Sequence, residues 1–172
     1  MEKRFVSLYK TEVDAVFRYC LIRTSSREIA LDISQEVFMR FWDALMQKKV
    51  IENDKAFLFA IARNLVIDWY RKKKSVSLDT LSESHEGEEK DLLDSLVLEG
   101  DGQVQQELDA EGRYVIGKIQ ELEPQYQQLL YLRFVEDMKP KEIAEVLRES
   151  VNVVSVRINR AVEKLRNIVG KI

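Results

Sequence analysis

Apolar residues in the first 74 positions recur every three or four residues, which is the period of an α-helix and not of a strand. A first predicted helix has one apolar face made of Phe5, Tyr9, Val13, Val16, Phe17 and Cys20. A second helix begins near Ser25, with Glu28 placed to complete a capping box, and runs to about Met46. A third follows Asn53–Asp54 and ends near Lys74. The pattern therefore predicts a unit of three helices.

The last 60 residues predict four shorter helices. The first covers about Tyr114 to Glu121, and the next two begin at Pro124 and Pro140, since proline is favoured at the first helical position. After a short turn, Ser150 caps the fourth helix. Its apolar stripe comprises Val151, Val154, Ile158, Ala161, Leu165 and Ile168. The last two helices form a candidate helix-turn-helix.

Charge separates these two helical blocks from the segment between them. Residues 1–74 hold 15 Lys and Arg against 10 Asp and Glu, and residues 113–172 hold 11 against 8. Residues 75–112 hold one Lys against 12 acids, and too few apolar residues to offset the entropy of ordering. We therefore expect an all-α protein of two small helical domains, residues 1–74 and 113–172, joined by a flexible acidic linker, residues 75–112.

Two predicted helices carry polar faces suited to nucleic acid. In the last helix, Asn152, Ser155, Val156, Asn159 and Arg160 lie away from the apolar stripe, with Arg157 on its flank. Such side chains suit base edges and phosphates. The third helix has an apolar face and, opposite it, Arg63, Asn64, Ile67, Arg71 and Lys74, so its basic end could attract phosphates. The alternative in both cases is an ordinary solvated face.

The second helix carries a different kind of surface. Ile33, Val37, Phe38, Phe41 and Trp42 point toward a core, whereas Asp32, Gln35, Glu36, Met39 and Asp43 form the other face. An exposed methionine among carboxylates suits a protein partner. A solvated polar face is again the alternative.

No arrangement of residues predicts catalysis, a metal site or a cofactor. Cys20 is the single cysteine and His85 the single histidine, which excludes an internal disulfide and a cysteine-based zinc site. The sequence has no glycine-rich phosphate loop and no run of ~18 apolar residues for a membrane span. We expect a cytoplasmic protein that is not an enzyme.

Three motifs in order resemble those of an extracytoplasmic-function (ECF) sigma factor of RNA polymerase, over essentially the full chain. The run from Asp32 to Trp42 resembles that family's polymerase-docking helix. The run from Ala56 to Tyr70 resembles its promoter-melting helix, and Pro140 to Arg166 resembles its C-terminal DNA reader. The chain departs from the family at Arg148, where glycine is usual, and at Lys139, where Ser or Thr normally caps the helix. Ser155 and Asn159 also replace the arginine and aromatic residue often found there, which leaves the promoter sequence open.

The resemblance implies residue roles and partners. Core RNA polymerase would be contacted by Asp32, Gln35, Glu36 and Met39. The minus-ten element would be bound, in part through a flipped base, by Val50, Ile51, Glu52, Asn53, Asp54 and Lys55, with Asn64, Asp68, Arg71 and Lys72 along the displaced strand. The minus-thirty-five element would be bound by Asn152, Ser155, Arg157, Asn159 and Arg160, with Arg157 on phosphate. A dedicated anti-sigma factor, often membrane-bound, is a further implied partner. The competing interpretation is a conventional helix-turn-helix repressor or activator, with residues 1–74 as its sensing or dimerising domain.

Overall fold

A computed structural model describes residues 1–77 and 109–169, and all regular structure in these ranges is helical. The helices are α1 (Glu2–Thr24), α2 (Arg27–Met46), α3 (Asp54–Ser77), α4 (Ala110–Gln120), α5 (Pro124–Leu130), α6 (Pro140–Leu147) and α7 (Val151–Val169), with a π-helical turn at Tyr131–Val135 after α5. The all-α prediction is confirmed. Most of the predicted linker lies outside the described residues. No helix in the described ranges is long and apolar enough to cross a bilayer.

Helices α1, α2 and α3 pack against one another as the first unit. Their shared core is fully buried and includes Val16, Tyr19, Val37, Phe41 and Phe59. The amino-terminal end of α1 is fixed by aromatic contacts, since the Phe5 ring lies 5.1 Å from Trp42 and 6.2 Å from Phe41 between centroids. This packing fixes the side of α2 that faces away from the core.

Helices α4 to α7 form the second unit, in which α6 and α7 make the predicted helix-turn-helix. Ile143 and Val154 are buried where the two helices meet. Arg148 ends α6 in the left-handed conformation, with φ 56° and ψ 42°, so the turn keeps a geometry that normally favours glycine. The Ser150 hydroxyl accepts a hydrogen bond from the Val153 amide at 3.3 Å, which confirms it as the cap of α7.

The second helix starts near Ser25 as predicted, but its cap is the next residue, Ser26. Ser25 ends α1 in the left-handed conformation, with φ 50°, and Ser26 caps α2 by accepting a hydrogen bond from the Ile29 amide at 3.4 Å. The predicted capping box of Ser25 and Glu28 therefore does not form. The αL residue lets α1 and α2 be joined by only two residues.

Three apolar side chains differ from the prediction in how exposed they are. Tyr9 is 44% exposed and Val151 is 43% exposed, although both were placed on core faces. Each lies near the start of its helix, and the Tyr9 ring still packs against Phe38 of α2, at 4.8 Å between centroids. Ile67, predicted on the outer face of α3, is 4% exposed. Helix α6 packs against α3, so α3 is covered on two sides and not one.

Candidate polymerase and nucleic-acid interfaces

The outer face of α2 is exposed as predicted. Asp32, Gln35 and Asp43 are all exposed, and Met39 is 62% exposed. Glu36 is half-buried, with its carboxylate accepting a hydrogen bond from Arg40 at 2.7 Å. On the opposite side, the predicted core residues Ile33, Val37, Phe38 and Phe41 are buried and Trp42 is half-buried. This division gives α2 one packed face and one free face with a large apolar side chain at its centre.

The loop between α2 and α3 is fixed at Ile51 and Asn53. Ile51 packs on the core, while Val50 is 88% exposed and Glu52 is exposed. The Asn53 side chain caps α3 by accepting a hydrogen bond from the Ala56 amide at 2.9 Å. The loop therefore has a defined conformation, set by its packing and by the cap of α3.

Arg4, from the start of α1, closes over this loop. Its guanidinium donates to both carboxylate oxygens of Asp54, at 2.8 and 2.5 Å, and to the Ile51 carbonyl at 3.1 Å. The hydrogen bond from Arg4 to Asp54 raises the pKa of Arg4. The sequence motifs did not predict a role for Arg4, because it lies 50 positions before its partner. Only its positive charge next to the aromatic residue Phe5 could have suggested one.

Residues of α3 assigned to the displaced strand remain accessible. Asp68 and Lys72 are exposed, while Asn64 and Arg71 are half-buried on the same side of the helix. Asp68 lies 3.8 Å from Arg71. These four side chains together form a polar strip that leads away from the loop.

The outer face of α7 also fits its prediction. Asn152, Asn159 and Arg160 are exposed, and Ser155 is half-buried. Arg157 differs from the others because it donates two hydrogen bonds to the Glu149 carboxylate, at 2.7 and 2.8 Å. Arg157 thus braces the turn of the helix-turn-helix and lies on the flank of the outer face of α7.

Two groups of the second unit reach the loop, the Glu142 carboxylate and the Glu136 backbone carbonyl, and sequence patterns did not predict either. Glu142 accepts a hydrogen bond from the Asn53 side chain at 2.8 Å and from the Lys139 amide at 2.6 Å. Burial alone would raise the pKa of Glu142, but these two hydrogen bonds, with Lys55 and Lys139 nearby, lower it below its ordinary value. Glu136 is buried, and its backbone carbonyl accepts a hydrogen bond from Lys55 at 2.7 Å.

In the described part of the chain, no group of three or more His, Cys, Asp or Glu side chains is arranged to hold a metal ion. The three surfaces described above consist of polar and charged side chains with a few exposed apolar ones.

Family models match both helical units. The model for Sigma-70 region 2 matches residues 8–76, and the model for Sigma-70, region 4 matches residues 113–165. A structure with the same fold is a sigma factor RpoE in complex with the anti-sigma factor NepR from Bartonella quintana, with a TM-score of 0.63, 18% identity and 98% of each chain covered. These matches define a modular, two-unit DNA-binding protein of the transcription machinery.

Proteins similar in sequence along most of the chain narrow the class of protein further. The chain is 30% identical over 166 residues to the ECF RNA polymerase sigma factor SigW of Bacillus subtilis (strain 168), covering 94% of this chain and 84% of that protein. It is 25% identical to SigX of the same organism, covering 96% and 84%. The chain belongs to the ECF RNA polymerase sigma factor family. It is a promoter-directing factor of RNA polymerase, and the repressor or activator interpretation is not favoured.

Proposed function

We propose that three separate surfaces of this sigma factor each bind a different partner. The outer face of α2 binds core polymerase, the loop Val50–Lys55 with the polar strip of α3 binds the melted minus-ten element, and the outer face of α7 reads the minus-thirty-five element. The chain makes and breaks no covalent bonds itself, and it acts in the cytoplasm, where the polymerase works. The observation that supports this division most directly is the free face of α2, with Met39 at its centre.

The α2 surface fits a protein partner for a physical reason. A methionine that is 62% exposed costs free energy unless another surface covers it, and the carboxylates around it favour a basic partner. Asp32 and Gln35 are exposed beside Met39 and available for contacts from that partner. Core polymerase is the partner that the family implies.

The loop and α3 fit a melted strand because unpaired bases present an edge that duplex DNA hides. Amide and carboxylate groups at Asn53 and Asp54 can pair with that edge, and Arg71 and Lys72 can follow the phosphates. On α7, Asn159 and Arg160 are instead suited to base edges within the major groove. The first unit therefore contacts the promoter as a melted single strand, and the second unit contacts it as duplex DNA.

An inhibitory protein partner is also part of the proposal. The structure with the same fold contains a sigma factor bound to an anti-sigma factor. We infer that this chain too has a dedicated anti-sigma factor, which can be membrane-bound. Neither its identity nor the promoter sequence follows from the chain.

Binding to core polymerase tests the proposal. Asp32→Arg combined with Met39→Ala is expected to abolish binding, measured by gel filtration or anisotropy of a labelled chain. Helicity and melting temperature should stay nearly unchanged, since exposed substitutions usually alter stability by less than ~0.5 kcal/mol. Asp14→Arg combined with Val6→Ala, two exposed positions on α1, is the matched control and should bind normally. Normal binding by the folded Asp32/Met39 variant would refute the assignment of this face.

A further inference from the structure

Two valines interrupt the polar outer face of α7. Val153 is 48% exposed and Val156 is 49% exposed, whereas Val154 and Ile158 of the same helix are buried. Residues two positions apart on a helix point about 160° away from each other, so Val156 points away from the core that Val154 and Ile158 enter. Val153 and Val156 are three positions apart, which makes their side chains neighbours on one surface. The outer face of α7 therefore carries a small apolar patch.

Neither packing within the described residues nor helix stability explains this apolar patch. The core side of α7 is already supplied by Val154, Ile158 and Ala161, all of which are buried. Valine is a weaker helix former than alanine, lysine or glutamate, because its branched Cβ restricts the side-chain rotamers. About half of Val153 and of Val156 stays in contact with water, so a surface that covers them on binding would gain the burial of their methyl groups.

The surroundings of the apolar patch favour duplex DNA as the covering surface. Asn152, Asn159 and Arg160 are exposed around the two valines, and amide and guanidinium groups hydrogen-bond to base edges. Both valines lie in the N-terminal half of α7, the part of a recognition helix that meets base edges in the major groove. A protein partner would instead favour a broader apolar centre with fewer charged neighbours.

The major groove offers a matching apolar group, the C5-methyl of thymine, whereas the other edges of the base pairs there are hydrogen-bond donors and acceptors. Side chains three positions apart on a helix have Cβ atoms roughly 5–6 Å apart. Successive nucleotides of one strand rise about 3.4 Å along the duplex. The apolar patch is therefore of the right size to cover methyl groups at one or two neighbouring base pairs.

On the basis of the duplex-reading role proposed for α7, we infer that Val153 and Val156 recognise thymine C5-methyl groups in the minus-thirty-five element. The valine side chains have no hydrogen-bonding group, so they select thymine over cytosine by contact with the methyl group alone. Asn159 and Arg160 hydrogen-bond to base edges beside them. The element is therefore expected to contain at least one A·T pair whose thymine, on either strand, faces α7.

Replacement of single thymines by deoxyuridine tests this recognition, because deoxyuridine pairs with adenine but lacks the C5-methyl group. The probe is a promoter from the chain's own genome that the holoenzyme transcribes, with each thymine of its minus-thirty-five element replaced in turn on either strand. Holoenzyme binding is measured by competition against a labelled promoter. One or two replacements should weaken binding about fourfold each, which corresponds to the ~0.8 kcal/mol for burial of one methyl-sized group, and the others less than about twofold.

Valine variants identify the protein side of the contact. Val153→Ala and Val156→Ala should each weaken binding to the natural promoter about fourfold and suppress the effect of deoxyuridine at a sensitive position, since both changes remove the same contact. Val151→Ala is the matched control, because it makes the same change at a valine that is 43% exposed and lies about 140° around α7 from Val156. The control should leave the deoxyuridine effects unchanged. Binding of each variant to core polymerase, measured separately, should equal that of the wild-type chain.

Methyl recognition would be overturned by a wild-type holoenzyme with no sensitive thymine, by an element without A·T pairs, or by full deoxyuridine sensitivity in both valine variants. Weaker binding of those variants to core polymerase, with unchanged deoxyuridine effects, would overturn it too and assign the apolar patch to a protein contact. A promoter with a scrambled minus-thirty-five element separates this inference from the proposed function. If scrambling weakens binding and deoxyuridine does not, α7 reads duplex DNA without these methyl groups. If scrambling has no effect, the duplex-reading role of α7 is refuted, and methyl recognition with it.

Discussion

Arg148 shows how one residue can differ from the family pattern without changing the fold. It adopts the left-handed conformation, in which a side chain with a Cβ costs roughly 1 kcal/mol, and it is exposed. We expect Arg148→Gly to raise the free energy of unfolding by up to ~1 kcal/mol, because the strain is relieved, measured by urea denaturation. Arg148→Ala keeps the Cβ and should give no such gain. Equal stability of the two variants would show that the turn is not strained.

Arg4 is a positioning residue for the loop, acting through Asp54 and the Ile51 carbonyl. Arg4→Met should lower the yield of open complex about fivefold on a duplex promoter, in line with an exposed ion pair worth up to ~1 kcal/mol. A promoter with a pre-melted bubble should recover much of the loss. Lys3→Met changes the same charge beside it and should have no effect. A loss that the bubble does not relieve would indicate a structural role alone.

Among the helices, α7 carries two exposed arginines whose effects on DNA binding can be compared. Arg160 lies on the predicted reading face, whereas Arg166 lies in the last turns of the same helix. Arg160→Ala should weaken binding to a cognate promoter by roughly 1–3 kcal/mol and relax preference at one position of a promoter library. Arg166→Ala should leave that preference intact. Unchanged sequence preference in Arg160→Ala would remove this residue from base reading.

Sequence patterns predicted the elements that pack locally. The core and outer faces of α2 and the cap of α7 at Ser150 follow from spacing within one helix. Spacing within one helix could not predict the burial of Ile67. That burial depends on α6, a helix whose first residue lies more than 70 positions later. The Asn53–Glu142 contact spans 89 positions for the same reason. Contacts between units arise from tertiary packing, which the period of a single helix does not encode.

For the molecule as a whole, alkaline pH should destabilise the fold, because two buried tyrosine hydroxyls and one buried thiol must keep their protons in the folded state. Burial raises the pKa of Tyr19, of Tyr131 well above its usual range, and of Cys20 to about 12. In the unfolded chain these groups lose their protons near pH 9 to 10. Stability is therefore fully present below about pH 9 and is lost as pH rises, by up to ~1.4 kcal/mol per pH unit for each group.

Tyrosinate absorbance checks this expectation alongside melting temperature. The chain has six tyrosines, and Tyr19 and Tyr131 should titrate only as the protein unfolds. Reversible titration of all six near pH 10, with the helical signal intact, would contradict the buried interface between the units.

We propose that this chain directs polymerase to promoters and opens them with the loop between α2 and α3. Permanganate reactivity of thymines near the start site, with core polymerase and a promoter from the chain's own genome, tests it most directly. Wild-type chain should produce reactive thymines that core polymerase alone does not. Replacing Ile51 to Asp54 with Gly and Ser should remove most of that reactivity while polymerase recruitment persists, and a pre-melted bubble should restore part of it, since the unpairing cost of a few kcal/mol per base is already met. Wild-type reactivity from the loop variant, or none from the wild-type chain, would contradict this role of the loop.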